Sequence, residues 1–406
     1  MSNERVVVTG LGALTPYGIG VKTLWDGLKE ARVPISKIKS FDTMGFNRDI
    51  GGEIQDFNPS EFIQKINSED LPRTTQLAIA AAKMSFTDAG LSDNSHDLRV
   101  AVSFGSTMGN QSVVEELNDM LKSSCSTLDE IQSPPKYYPM INIARCVSQE
   151  LSLNGPVMVF PTACAAGNYA ISWGYDLIKL GHADVVISGG ADAMSRGCYA
   201  IFNRLNAIAT EKCQPFDKNR TGMIVSEGAG CLVLERESVA RERGARIYAE
   251  MLGYGAASDA YHPTAPHPEG RGVIKAIKSC LDNISNDSCR VSYISSHGTG
   301  TKANDVTESK ALRSVFGDKI DTIPVNSIKS MLGHTMGGAS ALGSVVCVKS
   351  IMHDIVVPTA NYEVKDPECL TNIVPHRAIA HKVDTALNIG VGFGGNIAIT
   401  AFGSMK

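Results

Sequence analysis

Long hydrophobic runs and a strong charge of either sign are both missing from this sequence of 406 residues. No stretch approaches the roughly 18 consecutive apolar residues that a membrane-spanning helix needs, so a soluble protein is expected. The 38 basic and 42 acidic residues give a formal net charge of -4, too small and of the wrong sign to neutralise nucleic acid phosphates. The sequence therefore predicts neither a membrane nor a nucleic acid partner.

Closely spaced cysteine pairs are also missing. The ten cysteines are scattered along the chain, so reduced thiols in a cytoplasm are expected. The first apolar segment, Arg5-Val-Val-Val-Thr-Gly10, is typical of a strand and not of a secretory signal. Glycine-rich strings are present, but none has the spacing of a phosphate-binding loop, which disfavours nucleotide binding.

Short apolar segments that end in glycine alternate with longer helical patterns, which is typical of an α/β chain. The predicted strands are 5–10, 99–105, 183–190 and 230–235, and the predicted helices are 75–89 and 165–180. Residues 77–107 resemble 272–299, and residues 183–190 resemble 385–395. We therefore expect two similar halves, 1–240 and 241–406, with a site between them, although chance similarity of α/β patterns would look the same.

Cys164 is the sharpest local feature of the sequence. It lies in Val-Phe-Pro-Thr-Ala-Cys164-Ala-Ala-Gly, where a strand runs into a turn of small residues and a helix follows at once. This arrangement exposes a nucleophile, and the positive end of the helix dipole should lower the pKa of the thiol. A small buried cysteine is the alternative, and we keep that interpretation for the other nine.

Two histidines of the second half occur in comparable settings. His297 follows a predicted strand in Ser-Ser-His297-Gly-Thr-Gly-Thr, and His334 precedes a predicted helix in Gly-His334-Thr-Met-Gly-Gly. A third glycine-rich turn, Gly392-Phe393-Gly-Gly395, could supply a backbone oxyanion donor. One cysteine and two histidines could suggest zinc, but they lack paired spacing and acidic neighbours, so no metal is expected.

Five motifs together make the chain resemble the β-ketoacyl-[acyl-carrier-protein] synthases, in particular the synthase II type and its polyketide relatives. They are Thr-Ala-Cys164, His297-Gly-Thr-Gly-Thr, Lys329 with Gly-His334, Gly-Phe393-Gly-Gly, and Pro215-Phe-Asp-Lys-Asn-Arg-Thr-Gly. The resemblance covers essentially the whole chain. It implies a thiolase-like fold of two pseudo-symmetric βαβαβαββ halves in five layers, which would explain the internal repeat.

The resemblance implies decarboxylative Claisen condensation, with no cofactor beyond the phosphopantetheine of the carrier protein that bears the substrates. Cys164 would accept the acyl chain, and a malonyl carrier would lose CO2 to give an enolate that attacks it. His297 and His334 would act as neutral donors to the enolate oxygen. The amides of Cys164 and Phe393 would bind the thioester oxyanion, and Phe393 would also act as a gate.

Further residues match the family's supporting and binding positions. Lys329, Asp305 and Glu308 match a charged network that orients His297. Thr299 and Thr301 match positions that contact the pantetheine arm, whereas Met108 and Phe202 match the acyl pocket. The expected partners are an acyl carrier protein and a second synthase-like subunit, in a homodimer or a heterodimer. The segment 133–142 corresponds to the stretch that reaches the neighbouring subunit's pocket.

The chain also departs from the family pattern. Ile389-Gly390-Val391 replaces the usual Asn-Ser-Phe, and Asn396-Ile397 replaces the Thr-Asn after the glycine turn. The basic helix of the synthase II type is diluted by acids in 65–70. Two alternatives are a chain-length factor, which would lack the nucleophile, and a coenzyme A thiolase, which would carry a second cysteine near the last glycine turn. Cys164 argues against the first, and the absence of a cysteine in 392–395 argues against the second.

Overall fold

The protein is described from a computed structural model that covers residues 4–92, 97–123, 136–284, 291–370 and 372–405. The strands of the described residues are β1 (Val6–Thr15), β2 (Gly18–Ile19), β3 (Ser36–Lys37), β4 (Ile50–Gly51), β5 (Val100–Gly105), β6 (Val157–Phe160), β7 (Val185–Asp192), β8 (Gly228–Arg236), β9 (Ala249–Ser258), β10 (Tyr293–Ser295), β11 (Val325–Asn326), β12 (Ile355–Val356), β13 (Ile379–Ala380), β14 (Thr385–Gly392) and β15 (Asn396–Gly403).

The α-helices of the described residues are α1 (Val21–Lys29), α2 (Arg73–Asp88), α3 (Gln111–Ser123), α4 (Ile141–Glu150), α5 (Ala166–Lys179), α6 (Arg196–Arg204), α7 (Glu237–Glu242), α8 (Arg271–Asn283), α9 (Lys302–Phe316), α10 (Lys329–Leu332) and α11 (Gly337–His353). Short 3-10 helices span Pro59–Glu61, Ser68–Asp70, Ala163–Ala165, Gly317–Thr322 and Phe393–Gly395. The predicted strands and helices are all present, so the α/β prediction is confirmed. No helix among the described residues is long and apolar enough to cross a membrane.

The two halves build the same strand pattern. The order β6-β5-β7-β8-β1 in the first half is matched by β11-β10-β14-β15-β9 in the second, and β1 pairs with β9 to join them. In each half three strands run parallel and the other two are antiparallel to their neighbours. The expected pseudo-symmetry is therefore confirmed, while the division at residues 240 and 241 stays a prediction.

Helices α5 and α11 form the central layer between the two half-sheets. Helix α11 contacts β7 and β8 of the first half and β14 of the second, and α5 packs beside it. Almost every residue of α11 is buried, as expected for a helix that is apolar all round. Helices α2 and α4 cover the outer face of the first half, and α8 with α9 covers that of the second.

The parallel strands bring the predicted site residues together. Their carboxyl ends meet near the central layer, which is where ligands bind in open α/β sheets. Met108 follows β5, Cys164 follows β6, His297 follows β10, Lys329 follows β11 and Phe393 follows β14. Each of these predicted residues therefore lies just beyond the end of a parallel strand.

Strand β1 is longer than its sequence indicated. The glycines at 10 and 12 mark a close approach of α2 and not a turn, because a Cβ at either would overlap a carbonyl oxygen of α2, that of Ser85 or Ala81. The ladder between β1 and β8 shifts register between Val8 and Gly10 and then continues. Glycine here permits helix-on-sheet packing.

Gly12→Ala tests this packing. The added Cβ meets backbone, which cannot rotate away, so we expect a loss of about 3 kcal/mol or more in the free energy of unfolding. The control is Gly181→Ala, where nothing lies within 4 Å of the added Cβ and only the φ of +74° opposes it, at a cost of about 1 kcal/mol. Thermal unfolding measures both, and an equal loss in the two variants would contradict the prediction.

Candidate active site

The nucleophile turn holds Cys164 at the start of the central layer. Strand β6 ends at Phe160, the 3-10 helix Ala163–Ala165 follows, and α5 begins at Ala166. Ala163 has a φ of +51°, a strained value for a residue with a side chain. Such strain is typical of turns that present a reactive group, so the predicted strand-turn-helix arrangement is present.

The thiol of Cys164 is not acidic in this setting. Its side chain is buried, and burial raises the pKa to about 12, with the Lys329 charge acting in the opposite direction and Asp192 adding to the rise. Burial therefore acts against the lowering of the pKa that the helix N-terminus was expected to give. At neutral pH the thiol is therefore protonated and must give its proton to a base when it attacks.

His297 and His334 face each other across the site. Their ring centroids lie 5.6 Å apart with an interplanar angle of 79°. Burial lowers the pKa of each well below its usual value, and the nearby Lys329 charge acts in the same direction. Both imidazoles are therefore neutral at pH 7, as expected. Nδ1 of His334 is buried with no hydrogen-bond partner among the described residues.

Two buried titratable side chains, those of Glu308 and Lys329, lie behind His297. Glu308 accepts the amides of His297 and Gly298 at 2.6 and 2.8 Å, and the Lys329 ammonium donates to the carbonyl oxygen of His297. Burial raises the pKa of Glu308 to about 7, while its two amide donors act in the opposite direction. Burial also lowers the pKa of Lys329, opposed by Glu308. The pair holds the main chain of His297 on both sides.

Asp305 organises the loop of the two threonines. Its carboxylate accepts the amides of Thr299 at 3.1 Å, Gly300 at 3.3 Å and Phe216 at 2.7 Å, and Arg220 lies 3.6 Å away. The hydroxyls of Thr299 and Thr301 are 2.9 Å apart. Lys329, Asp305 and Glu308 thus do not line the cavity but lie behind its wall, and their supporting role stays a prediction.

The turn Phe393–Gly395 closes over Cys164. A Cβ at Gly392 would lie 3.1 Å from the amide nitrogen of Cys164, so the two turns are in contact. Two hydrogen bonds hold the turn. The amide of Gly394 donates to the carbonyl oxygen of Pro263 at 2.7 Å, and the side-chain amide of Asn396 donates to the carbonyl oxygen of Phe393 at 2.9 Å. Asn396, which departs from the family pattern, therefore adds a hydrogen bond inside the turn.

These residues enclose one cavity of about 260 Å³. Its lining includes the predicted residues Cys164, His297, His334, Thr299, Thr301, Phe202 and Phe393. The rings of Phe202 and Phe393 lie 5.5 Å apart and form an apolar wall. Met108 does not line this cavity; it packs against the hydrophobic cluster that contains Cys164 and Phe202.

Asp192 is a buried acid near the site that the sequence analysis did not single out. It ends β7, is fully buried, and accepts the amides of Thr107 at 2.7 Å, Met108 at 3.0 Å and Gly337 at 2.6 Å. It therefore fixes the loop after β5 and the start of α11. An acid directly after Ser-Gly-Gly-Ala at a strand end was the available signal. The loop 259–266, which also lines the cavity, gave no such signal.

The arrangement suits acyl transfer through a thioester. It combines a thiol, two neutral imidazoles and a glycine turn against the nucleophile, and the three side chains are buried, where hydrogen-bond donors act strongly on developing negative charge. Within the part of the chain that the structure describes, no group of three or more His, Cys, Asp or Glu side chains could hold a metal ion.

Comparisons with known proteins agree along the chain. Residues 3–240 match the family described as Beta-ketoacyl synthase, N-terminal domain, and residues 248–363 match Beta-ketoacyl synthase, C-terminal domain. A 3-oxoacyl-[acyl-carrier-protein] synthase 2 of Synechocystis sp. is 38% identical and covers 99% of this chain and 98% of its own. The tetracenomycin polyketide synthase ketoacyl synthase alpha subunit of Streptomyces glaucescens is 36% identical over 97% of this chain and 96% of its own.

Solved structures show the same similarity. The ishigamide ketosynthase/chain length factor superimposes with a TM-score of 0.95 at 38% identity, with both chains fully covered. A type II polyketide ketosynthase in complex with its acyl-carrier protein superimposes with a TM-score of 0.91 at 30% identity, again over both whole chains.

The pH dependence of Cys164 alkylation tests the electrostatic setting of the thiol. Because burial raises its pKa to about 12, the thiolate fraction should grow about tenfold per pH unit from about pH 6 to pH 9. The rate of iodoacetamide addition at Cys164, followed by peptide mass, should rise accordingly without a plateau. A plateau near neutral pH would show that the helix N-terminus does stabilise the thiolate.

Proposed function

The chain belongs to the β-ketoacyl synthase family, and on that premise we propose which residue performs each step of its reaction. The enzyme is an acyltransferase with a thiolase-like fold. It condenses a cysteine-bound acyl chain with malonyl-[acyl-carrier protein] to give β-ketoacyl-[acyl-carrier protein] in fatty acid or polyketide chain elongation. The observation that carries the residue roles is the single cavity shared by Cys164, His297 and His334.

In the first half-reaction the sulfur of Cys164 attacks the acyl carbonyl carbon. The bond from that carbon to the carrier's sulfur breaks, and the carrier leaves as a thiol. Since the Cys164 thiol is protonated at neutral pH, an imidazole of the cavity accepts its proton and returns it to the departing sulfur. The amides of Cys164 and Phe393 hold the developing oxyanion, consistent with the contact between their turns.

In the second half-reaction the malonyl thioester occupies the space between the two imidazoles. The bond to its carboxylate breaks, CO2 departs, and the electron pair moves into an enolate whose oxygen accepts hydrogen bonds from His297 and His334. The enolate carbon then attacks the acyl carbon on Cys164, and the Cys164 sulfur leaves and recovers a proton. Neutral imidazoles suit this step, because they donate without first capturing the substrate carboxylate as cations would.

The acyl carrier protein delivers both substrates on phosphopantetheine, as the family and the carrier complex of a relative support. The catalytic cavity shares Leu205, Ala207 and Thr301 with a neighbouring depression lined by the exposed Lys218 and Lys302. We place the phosphate of the pantetheine arm there, with Thr299 and Thr301 along the arm. The segment 65–70 ends in the 3-10 helix Ser68–Asp70, which carries two acids and offers no basic face.

A second subunit adds to the edge of the sheet. Strand β6 is the last strand of the first half, and its Met158 is 41% exposed; Tyr138 and Ile141, just before α4 and at its start, are exposed as well. An apolar strand edge of this kind is a ready surface for pairing. Relatives include ketosynthases in complex with a chain length factor, so the partner is a second copy or a related subunit. Residues 133–135 of the segment expected to reach the partner lie outside the described residues.

The chain-length factor remains the second candidate function. A catalytic role is favoured because the cavity keeps the thiol and both imidazoles together with their buried support. The cysteines within the described ranges are all free and buried. Free thiols are consistent with the cytoplasmic location that we propose.

Separate measurement of the two half-reactions tests the residue roles. Cys164→Ala should abolish condensation but leave CO2 release from malonyl carrier measurable, because the imidazoles remain. His297→Ala and His334→Ala should each slow CO2 release by about 10²- to 10³-fold, the usual effect of removing one preorganised donor. Intact-protein mass follows acylation of Cys164, and trapped CO2 follows decarboxylation.

The matched control is Cys280→Ala, which removes another buried thiol, on α8, and should leave both rates near the wild-type values. Full condensation by Cys164→Ala would refute the nucleophile. Wild-type CO2 release by either histidine variant would refute that histidine's role.

Adding positive charge at and near the exposed edge of β6 tests the proposed dimer interface. We expect the double variant Ile141→Lys/Met158→Lys to be largely monomeric at micromolar concentration, because two ammonium groups would enter an apolar interface. Light scattering measures the mass. The control Leu180→Lys alters an apolar side chain that is 56% exposed on the loop after α5 and should stay dimeric. A monomeric wild type with full activity would reject this assembly.

A further inference from the structure

A buried pair of amides lies behind the active site and has no role in the reaction described above. Asn168 belongs to α5 and Asn388 to β14, and both side chains are buried. Nδ2 of Asn388 donates to Oδ1 of Asn168 at 2.8 Å, and Nδ2 of Asn168 donates to the carbonyls of Asn388 at 3.1 Å and Ala398 at 2.9 Å. One bond therefore joins the two side chains, and a second joins the side chain of Asn168 to the main chain of Asn388.

The pair also binds α11 and β15. Nδ2 of Asn388 donates to the carbonyl oxygen of Ser340 at 2.7 Å, and the hydroxyl of Ser340 accepts a hydrogen bond from the main-chain N–H of Asn168 at 3.1 Å. The hydroxyl of Thr400 donates to Oδ1 of Asn168 at 3.3 Å. Buried polar groups that are hydrogen-bonded to one another favour one arrangement of the elements that carry them. Four elements from both halves therefore meet at one hydrogen-bonded point.

Two of these elements lead directly to reacting groups. Cys164 precedes Asn168 by four residues, about one helical turn. Asn388 lies on the strand that enters the Phe393 turn, and the helix and strand run side by side between these points. A Cβ at Gly390 would lie 3.2 Å from Cα of Ala165. The contact between α5 and β14 thus has the Asn168–Asn388 pair at one end and Gly392, against the main-chain amide of Cys164, at the other. The pair fixes the end that lies away from the thiol.

The departure from the family pattern at 389–391 fits this contact. Gly390 is the residue whose Cβ would lie 3.3 Å from Nδ2 of Asn168, tighter than an ordinary contact. On the other side, a Cβ at position 343 of α11 would overlap Oδ1 of Asn388, and the residue there is glycine. The chain therefore leaves room for the two amides from both sides.

We propose that Asn168 and Asn388 are positioning residues that set the distance between the Cys164 thiol and the Phe393 turn, and thereby the rate of acyl transfer to Cys164. This inference rests on the proposed roles of Cys164 and Phe393. Acyl transfer needs the thiol and the oxyanion donors at the correct distance from each other, and a misplacement of about 1 Å can lower the rate on the order of 10²-fold. Alkylation of the thiol by a small reagent needs no oxyanion donor.

The experiment compares these two reactions at the same sulfur in Asn168→Ala and Asn388→Ala. The saturating rate of Cys164 acylation by an octanoyl carrier protein, followed by intact mass, should fall about 10- to 100-fold with little change in the carrier concentration for half-maximal rate. The rate of iodoacetamide addition should stay within about twofold of wild type. The double variant should be no slower than the slower single variant, since both break one pair.

The matched control is Ser103→Ala. The hydroxyl of Ser103 is also buried and also bonds α5, at the carbonyl of Ala170, but it ties α5 to Ser188 of the same half. This variant should keep both rates near wild type. Asn388→Ser, a smaller change, provides a second variant if an alanine variant melts below the assay temperature.

Equal losses in acylation and alkylation, an unchanged acylation rate, or the same selective loss in Ser103→Ala would each overturn the positioning role. A wild-type enzyme that is alkylated at Cys164 but never acylated there would instead refute the proposed function. The two failures are therefore distinguishable.

Discussion

The close contact between the two central helices is the constraint on which the site depends. A Cβ at Gly167 of α5 would lie 2.6 Å from the amide nitrogen of Ala341 of α11, so the helix that carries Cys164 can approach α11 only because position 167 is glycine. Helix α11 begins three residues after His334. The contact therefore brings a nucleophile of one half and an imidazole of the other to the same cavity.

Burial at this contact sets the protonation states of the reacting groups. The same loss of water that keeps the imidazoles neutral also keeps the Cys164 thiol protonated. Attack by Cys164 therefore has to move a proton from a weakly acidic thiol to a weakly basic imidazole. Behind these groups, Lys329 and Glu308 hold the main chain of His297, and the Lys329 charge lowers the pKa of the Cys164 thiol while Asp192 raises it.

Much of the fold could be predicted because its signals are local. Strands such as 99–105 and 183–190 are apolar runs bounded by glycine, and the cysteine motif alone indicated a strand, a turn and a helix. Glycines at 10 and 12 were harder, since a glycine in a turn and a glycine under a helix look alike in sequence. The amides of Asn168 and Asn388, 220 residues apart, gave no local signal at all.

The sequence by itself determined which groups could react, because the motifs around Cys164, His297 and His334 specify residue type, strand end and glycine turn within a few positions. Only the tertiary structure decided how these groups behave. The direction of the Cys164 pKa shift depends on how much water the packed halves exclude, and the roles of Asp192 and the amide pair depend on contacts between distant segments. Desolvation and close packing are sums over neighbours in space, and a linear pattern does not contain them.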